Sequence, residues 1–197
     1  MTKILLGQYL DFLKAGDNEV LQAQAITGKK REDILSMKAP ELARIVNEFT
    51  ANAGVKADKK LYKKLELLND GKRQSFYFHP NLEYMTMAEY MDVNTLLQTF
   101  PQSLPSIMAI LYRPITAELN NSYLIEDYDS ARHLQNADLF RQMSLDAVNG
   151  VMVFFYLLKI DLTSSTLDFL SKETETVLAE LETLAEDMTA TPPQPTA

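Results

Sequence analysis

Phe100-Pro-Gln-Ser-Leu-Pro-Ser-Ile-Met-Ala-Ile-Leu-Tyr-Arg-Pro-Ile115 is the stretch on which the fold turns. Pro105 suits the first turn of a helix, where its missing N–H is no loss, and Arg113-Pro114 marks the break at the other end. Between them Ile107, Met108, Ile110 and Leu111 leave almost no polar face, so the spacing predicts a short helix buried on most of its circumference. Just upstream, Thr86-Met-Ala-Glu89 reads as a capping box that opens a helix through Tyr90 and Met91. Downstream, Ser144 can cap a long apolar helix over 145–160, whose Phe154-Phe155-Tyr156-Leu157-Leu158 is the densest hydrophobic text in the chain. The central segment is then the scaffold for both neighbours.

Farther out, helical spacing dominates. Residues 4–14, 19–27 and 32–37 and a stretch opening at Pro40 read as short helices, with Gly16 and Gly28 as stops. Lys56 to Lys72 places Leu61, Leu65 and Leu68 at spacings of four and three, which predicts an amphipathic linker helix with a lysine-rich solvated face, ended by a turn at Asp70-Gly71. Gln74-Ser-Phe-Tyr-Phe-His79 alone has strand character, with Phe76 and Phe78 on one side. Asn120 to Asp129 reads as an acidic loop, and 131–141 as helical. The fold class expected is mostly α: a multi-helix domain of short helices with at most a small strand or hairpin near 74–79, a long core helix near 145–160 and a C-terminal amphipathic helix near 165–188. The expected divisions are an N-terminal helical subdomain (1–55), a basic linker helix (56–73), a helical core (74–188) and a flexible tail (189–197) with three prolines.

A shift of 81 residues lays Ile4-Leu-Leu-Gly-Gln-Tyr-Leu-Asp11 on Met85-Thr-Met-Ala-Glu-Tyr-Met-Asp92, matching Tyr9 with Tyr90 and Asp11 with Asp92. Leu5 falls on the capping Thr86. A diverged duplication would leave these residues as equivalent contact sites, while the plainer reading makes each Tyr a rim residue and each Asp a helix cap or terminus.

Composition narrows the function classes. A chain of 197 residues with 46% hydrophobic content can bury a substantial core, and the absence of cysteine removes disulfides, thiolate nucleophiles and Cys-based metal sites. The N-terminus has no apolar run of signal-peptide length and reads as mature sequence. The apolar text at 147–158 falls short of the roughly 20 residues a bilayer span requires, so no membrane partner is expected. Residues 1–73 carry 14 Lys and Arg against 10 Asp and Glu, a balance of +4, and the remainder stands at −12. Such a C-terminal part argues against a nucleic-acid groove, although 56–73 could serve a nucleic-acid-binding regulator.

No residue set announces a chemistry. His79 and His133 lack ligand spacing, Glu126-Asp127 with Asp129 lacks the alternating ligands and glycine of a calcium loop, and neither a phosphate loop nor a nucleophile elbow is present. We therefore expect no enzyme, cofactor or metal. Candidate partner-binding residues are the adaptable side chains Met85, Met87 and Met91, the charged Arg113 at the end of the buried helix, and Leu170, Val177, Leu181 and Leu184 on the regular stripe of 165–188. For Arg113, a pair with the acidic loop after it is favoured over a partner's carboxylate. The glutamates between the stripe positions disfavour self-pairing of that helix, though the chain admits a homo-oligomer.

Residues 85–92, the opening stretch 100–115, and Met143-Ser-Leu-Asp146 leading to Gly150 and Phe154-Phe155 resemble small, acidic, mostly helical proteins of tailed-bacteriophage tail modules. The resemblance spans 85–160 and carries over packing patterns without catalytic residues. It implies a non-enzymatic tail assembly chaperone or baseplate-hub assembly factor that binds tail or baseplate proteins in the host cytoplasm. The alternative it leaves is a structural subunit of the baseplate or neck, carried in the virion.

Overall fold

The helix opened by Pro105 runs straight into a strand, and this junction organises the molecule. A computed structural model describes residues 3–53, 60–119 and 122–154. Helices α1 (Leu6–Ala15), α2 (Glu19–Thr27), α3 (Arg31–Leu35) and α4 (Ala39–Ala53) precede a hairpin of β1 (Lys64–Asn69) and β2 (Lys72–Phe78). A 3-10 turn at Leu82–Tyr84 leads into α5 (Met87–Leu96), and another at Leu97–Thr99 leads to α6 (Leu104–Leu111). Then come β3 (Tyr112–Leu119), β4 (Ser122–Ile125), α7 (Ser130–Gln135), α8 (Ala137–Phe140) and a helix, α9, described over 145–154.

The architecture is mixed α/β, which corrects the mostly helical expectation. Among the described residues four strands form one antiparallel sheet in the order β1-β2-β3-β4. The first error concerns 64–69, where a strand replaces the expected linker helix. Helical spacing there competes with alternation, and alternation wins because Asp70 (φ 47°) and Gly71 (φ 74°) supply the two positive φ angles of a two-residue hairpin turn. That turn sets Asn69 opposite Lys72 and Leu65 opposite Phe76. Leu67 is consequently buried while Leu68, which the helical reading placed on the core stripe, is 53% exposed.

The second error lies after α6. Tyr112 is already extended (φ −117°, ψ 118°), and Arg113, the residue before Pro114, is kept out of the helical region by the proline ring, so the helix cannot resume and the chain enters the sheet. Tyr112 pairs with Phe78 and Pro114 with Phe76, and residues 122–125 form the next strand instead of part of an acidic loop. Leu104, Ile107, Met108, Ala109, Ile110 and Leu111 are all buried, so the expectation of a helix buried nearly all round describes α6.

Rings close the layer between sheet and helices. Phe76 meets Phe140 edge-on at 5.1 Å, and Phe78 meets Tyr112 likewise at 5.2 Å. The buried Tyr112 hydroxyl donates to the Tyr62 carbonyl at 2.6 Å, so this ring enters the core without stranding its polar atom. The outer edge at β1 is occupied by a side chain: the Gln142 amide accepts from Leu68 N at 3.1 Å and donates to Leu68 O at 2.9 Å, bonding as an added strand would.

The N-terminal helices are tied to the same body. Leu6 N donates to Met143 O and Gly7 N to Arg141 O, each at 2.8 Å, and a Cβ on Gly7 would come within 3.2 Å of that Arg141 carbonyl. A larger residue there would press on the Arg141 backbone, which would have to give by a few tenths of an ångström. Ser144 accepts from Ala147 N at 3.3 Å and caps α9, whose Leu145, Ala147, Val148 and Val151 are buried. Residues 1–153 form one unit, to which these contacts belong. The expected helix at 165–188, the tail and the end of the 145–160 helix lie outside the described residues.

Candidate functional site

Helix α5 is inverted relative to an ordinary surface helix. Glu89 is 1% exposed, whereas Met87 is 71%, Met91 60% and Tyr90 52% exposed, and Tyr84 just ahead of the helix is 79% exposed. At 3.6 residues per turn, positions 87 and 91 share one face with 90 at its border, and 89, 93 and 96 share the opposite one, while Tyr84 lies on the 3-10 turn before the extended cap Thr86. The inward face therefore carries a carboxylate beside Val93, and the outward face carries Tyr90 and two methionines, with Tyr84 exposed on the turn ahead of it.

Local sequence explains how the carboxylate is tolerated. Thr86 accepts from Glu89 N at 3.3 Å, and Glu89 Oε2 accepts from Thr86 N at 2.5 Å, completing the expected capping box. The other oxygen, Oε1, receives Arg113 Nη2 at 2.5 Å and lies 3.8 Å from His79 Nε2. One buried carboxylate thus closes the N-terminus of α5 and ties it to the ends of β2 and β3. Burial lowers the Arg113 guanidinium below its ordinary range, opposed by Glu89 and then Asp127, and its Nε has no hydrogen-bond partner among the described residues.

A second tie lies one turn on. Asp92 accepts from the Tyr128 hydroxyl at 2.6 Å and from Ser130 Oγ at 2.8 Å, and these bonds hold its carboxyl below the usual range. Burial and then Asp92 push the Tyr128 hydroxyl up to about 12, so it remains a donor at neutral pH. The Tyr128 ring also lies 5.9 Å from the Arg113 guanidinium. Segment 126–130 is thereby fixed along one border of α5.

His79 reports on this packing. Burial lowers its pKa from 6.5, opposed by Glu89 and reinforced by Arg113. An unfolded chain takes up a proton near 6.5 that the folded one resists, so stability is full above that value and is lost as pH falls below it. Thermal unfolding followed from pH 8 to pH 5 should show a falling Tm, and the slope below pH 6.5 should flatten in His79→Gln. With His133 as the second of only two histidines, an unchanged slope would assign the effect elsewhere.

Helices α1 and α5 start 81 residues apart, at Leu6 and Met87, each ten residues long. Gln8 Oε1 accepts from Leu5 N at 3.0 Å, as Glu89 does from Thr86 N, so half of the capping box persists where Leu5 replaces threonine. Asp11 pairs with Arg141 at 2.7 Å while Asp92 holds Tyr128 and Ser130, so each repeated aspartate fastens its helix to a later segment. Tyr9 is half-buried and Tyr90 exposed.

Of the residues singled out from the sequence, Met87 and Met91 are on the exposed face and Met85 is half-buried ahead of the helix. Arg113 is 3% exposed and bonds Glu89, and Asp127 and Tyr128 of the acidic segment also act on it. Leu170, Val177, Leu181 and Leu184 lie outside the described residues. Tyr84 was not singled out, nor was Glu89 as the partner of Arg113. The capping box already turned Glu89 back toward the cap, but a residue 24 positions away leaves no periodic trace.

Elsewhere, the lysine-rich segment supplies the hairpin, where Glu66 lies 3.7 Å from both Lys64 and Arg73. An open depression of 350 Å³ is lined there by Glu66, Leu67, Leu68, Arg73 and Gln142. Another, of 460 Å³, lies among Lys29, Asp33, Ser36, Met37, Lys38 and Glu41. Neither set joins a nucleophile to a base. Among the described residues no three His, Cys, Asp or Glu side chains are grouped to hold a metal, and no helix is long and apolar enough to cross a membrane. A scan against protein-family models finds no match, and searches of curated proteins and of solved structures find none either.

Proposed function

We propose that this chain is a non-enzymatic assembly protein of the bacteriophage tail-chaperone type, which binds a tail or baseplate protein through the outer face of α5. The inversion of α5 carries this reading. A chain that places Glu89 inside, where it demands Arg113, and leaves Tyr84, Met87, Tyr90 and Met91 outside gives up burial its own fold could have used. Such an exposed apolar face suits a binding surface, and methionine, with its flexible unbranched side chain, suits one that accommodates a partner during assembly. The resemblance of 85–92 and 100–115 to tail-module proteins supplies the class of partner.

Co-expression with the tail and baseplate proteins encoded beside it tests the reading. The wild-type chain is expected to co-purify with one of them, and Met87→Asp/Met91→Asp to lose it while keeping its helical circular dichroism. Failure to retain any of these proteins would remove the proposal. Recovery of the chain in stoichiometric amount from purified particles would make it a virion subunit.

A further inference from the structure

The surroundings of α5 narrow the chemistry of what it binds. Not one Lys or Arg occurs from residue 74 to residue 112, so neither the helix nor the turns beside it contribute a positive side chain. Along its border, the hydroxyls of Tyr128 and Ser130 on Asp92 fix the segment carrying Glu126, Asp127 and Asp129. Arg132 offsets part of this charge through Glu126 at 3.1 Å, while Glu89 is already matched by Arg113. Asp92, Glu126, Asp127 and Asp129 outnumber Arg132 along this border, with Asp127 also acting on the buried Arg113.

Two occupants can be weighed against this layout. A second copy meeting α5 across a two-fold axis would set acidic border near acidic border, on chains that each carry −8. Its apolar contact would also be small: Tyr84, Met87, Tyr90 and Met91 together expose roughly 600 Å², at about 200–250 Å² for a fully exposed side chain of such size. A stable pair needs about 800 Å² from each partner. A helix with one apolar stripe and lysines or arginines beside it avoids the repulsion and enlarges the footprint by reaching over 126–129.

We propose that the outer face of α5 and the acidic 126–129 border together form a docking surface for a cationic amphipathic helix of a partner protein. Its apolar stripe lies on Tyr84, Met87, Tyr90 and Met91, and its basic residues lie over the carboxylates. This rests on the α5 surface of the proposed function and adds the partner's chemistry, whichever protein supplies the helix.

The test uses the full chain and fluorescence anisotropy with labelled model peptides of about 18 residues, roughly five helical turns. One is an amphipathic Leu/Lys sequence and the other its Leu/Glu counterpart. The Leu/Lys peptide is expected to bind and the Leu/Glu peptide to bind at least about tenfold more weakly. Met87→Ala/Met91→Ala leaves every charge in place and should weaken the Leu/Lys peptide about tenfold. Asp127→Lys should weaken it about threefold and reduce its salt dependence, whereas Asp17→Lys, on an exposed turn at the far N-terminal end of the sequence, should not.

Equal affinity for both peptides, or wild-type affinity in the methionine variant, would overturn the inference. So would sedimentation showing a dimer that the methionine substitutions abolish, since the face would then belong to a second copy. Retention of a tail protein without peptide binding rejects the cationic helix and leaves the assembly role standing. Peptide binding with no tail protein retained does the reverse.

Discussion

Arg113→Met is expected to lower the unfolding free energy by about 3–5 kcal/mol, because it strands the Glu89 carboxylate in the interior. Glu89 is 1% and Arg113 3% exposed, so water replaces neither partner without local opening. At about 2–4 °C per kcal/mol for a chain of this size, Tm should fall by roughly 10 °C. Glu89→Gln retains an oxygen to accept from Thr86 N and separates the cap from the charge pair. It should also destabilise, by leaving the guanidinium without its counter-charge. The double substitution Glu89→Gln/Arg113→Met removes both charges together, and its cost should be well below the sum of the single costs. Urea unfolding of the four proteins closes the cycle. Additive losses would show that the two side chains stabilise the fold separately, and that the pair is not what holds α5 to β3.

That cycle bears on function through geometry. The outward residues Met87 and Met91 contribute little to the fold's own packing, so their replacement should alter binding far more than stability. Arg113 is a positioning residue: it touches no part of the outer face, yet through Glu89 it fixes which face of α5 looks outward. Its loss should therefore weaken partner binding together with stability, whereas Met87→Ala/Met91→Ala should separate the two.

What the sequence disclosed follows the range of the interaction concerned. The capping box at Thr86, the cap at Ser144, the stop at Gly28 and the buried α6 were legible because each depends on neighbours within a turn or two. The sheet was not. Leu61, Leu65 and Leu68 fit a helix while Leu65 and Leu67 fit a strand, and the choice is made by β2 and the Asp70-Gly71 turn. The same two turn residues were recognised as a turn, but a turn after a helix and a turn inside a hairpin read alike until the strand beyond is allowed a partner on each side. For the site, the methionine cluster was visible, but the side of α5 that faces out was not. Glu89, Asp92, Met87 and Met91 describe an amphipathic helix of either orientation, and only the distant Arg113, Tyr128 and Ser130 turn Glu89 inward and fasten Asp92 at the border.

Phe140→Ala should cost about as much as loss of the ion pair, roughly 3–5 kcal/mol, through a different mechanism. Phe140 ends the four-residue α8, is 1% exposed, meets Phe76 of β2 at 5.1 Å and lies 6.4 Å from Tyr112 of β3. Removing it opens a cavity where sheet and helices meet, and the neighbours that could collapse into it are held elsewhere: Tyr112 by its bond to the Tyr62 carbonyl, and Phe76 by strands on both sides. Phe140→Leu keeps most of the apolar volume and should cost about 1.5 kcal/mol or less. Phe12→Ala is the matched control, since Phe12 meets Phe49 at 5.0 Å but is only half-buried, so water can enter the space it leaves and the loss should be smaller. Denaturant unfolding of the three variants orders them. A Phe140→Ala loss no greater than that of Phe12→Ala would show that α8 can repack, and that the sheet does not depend on it as its lid.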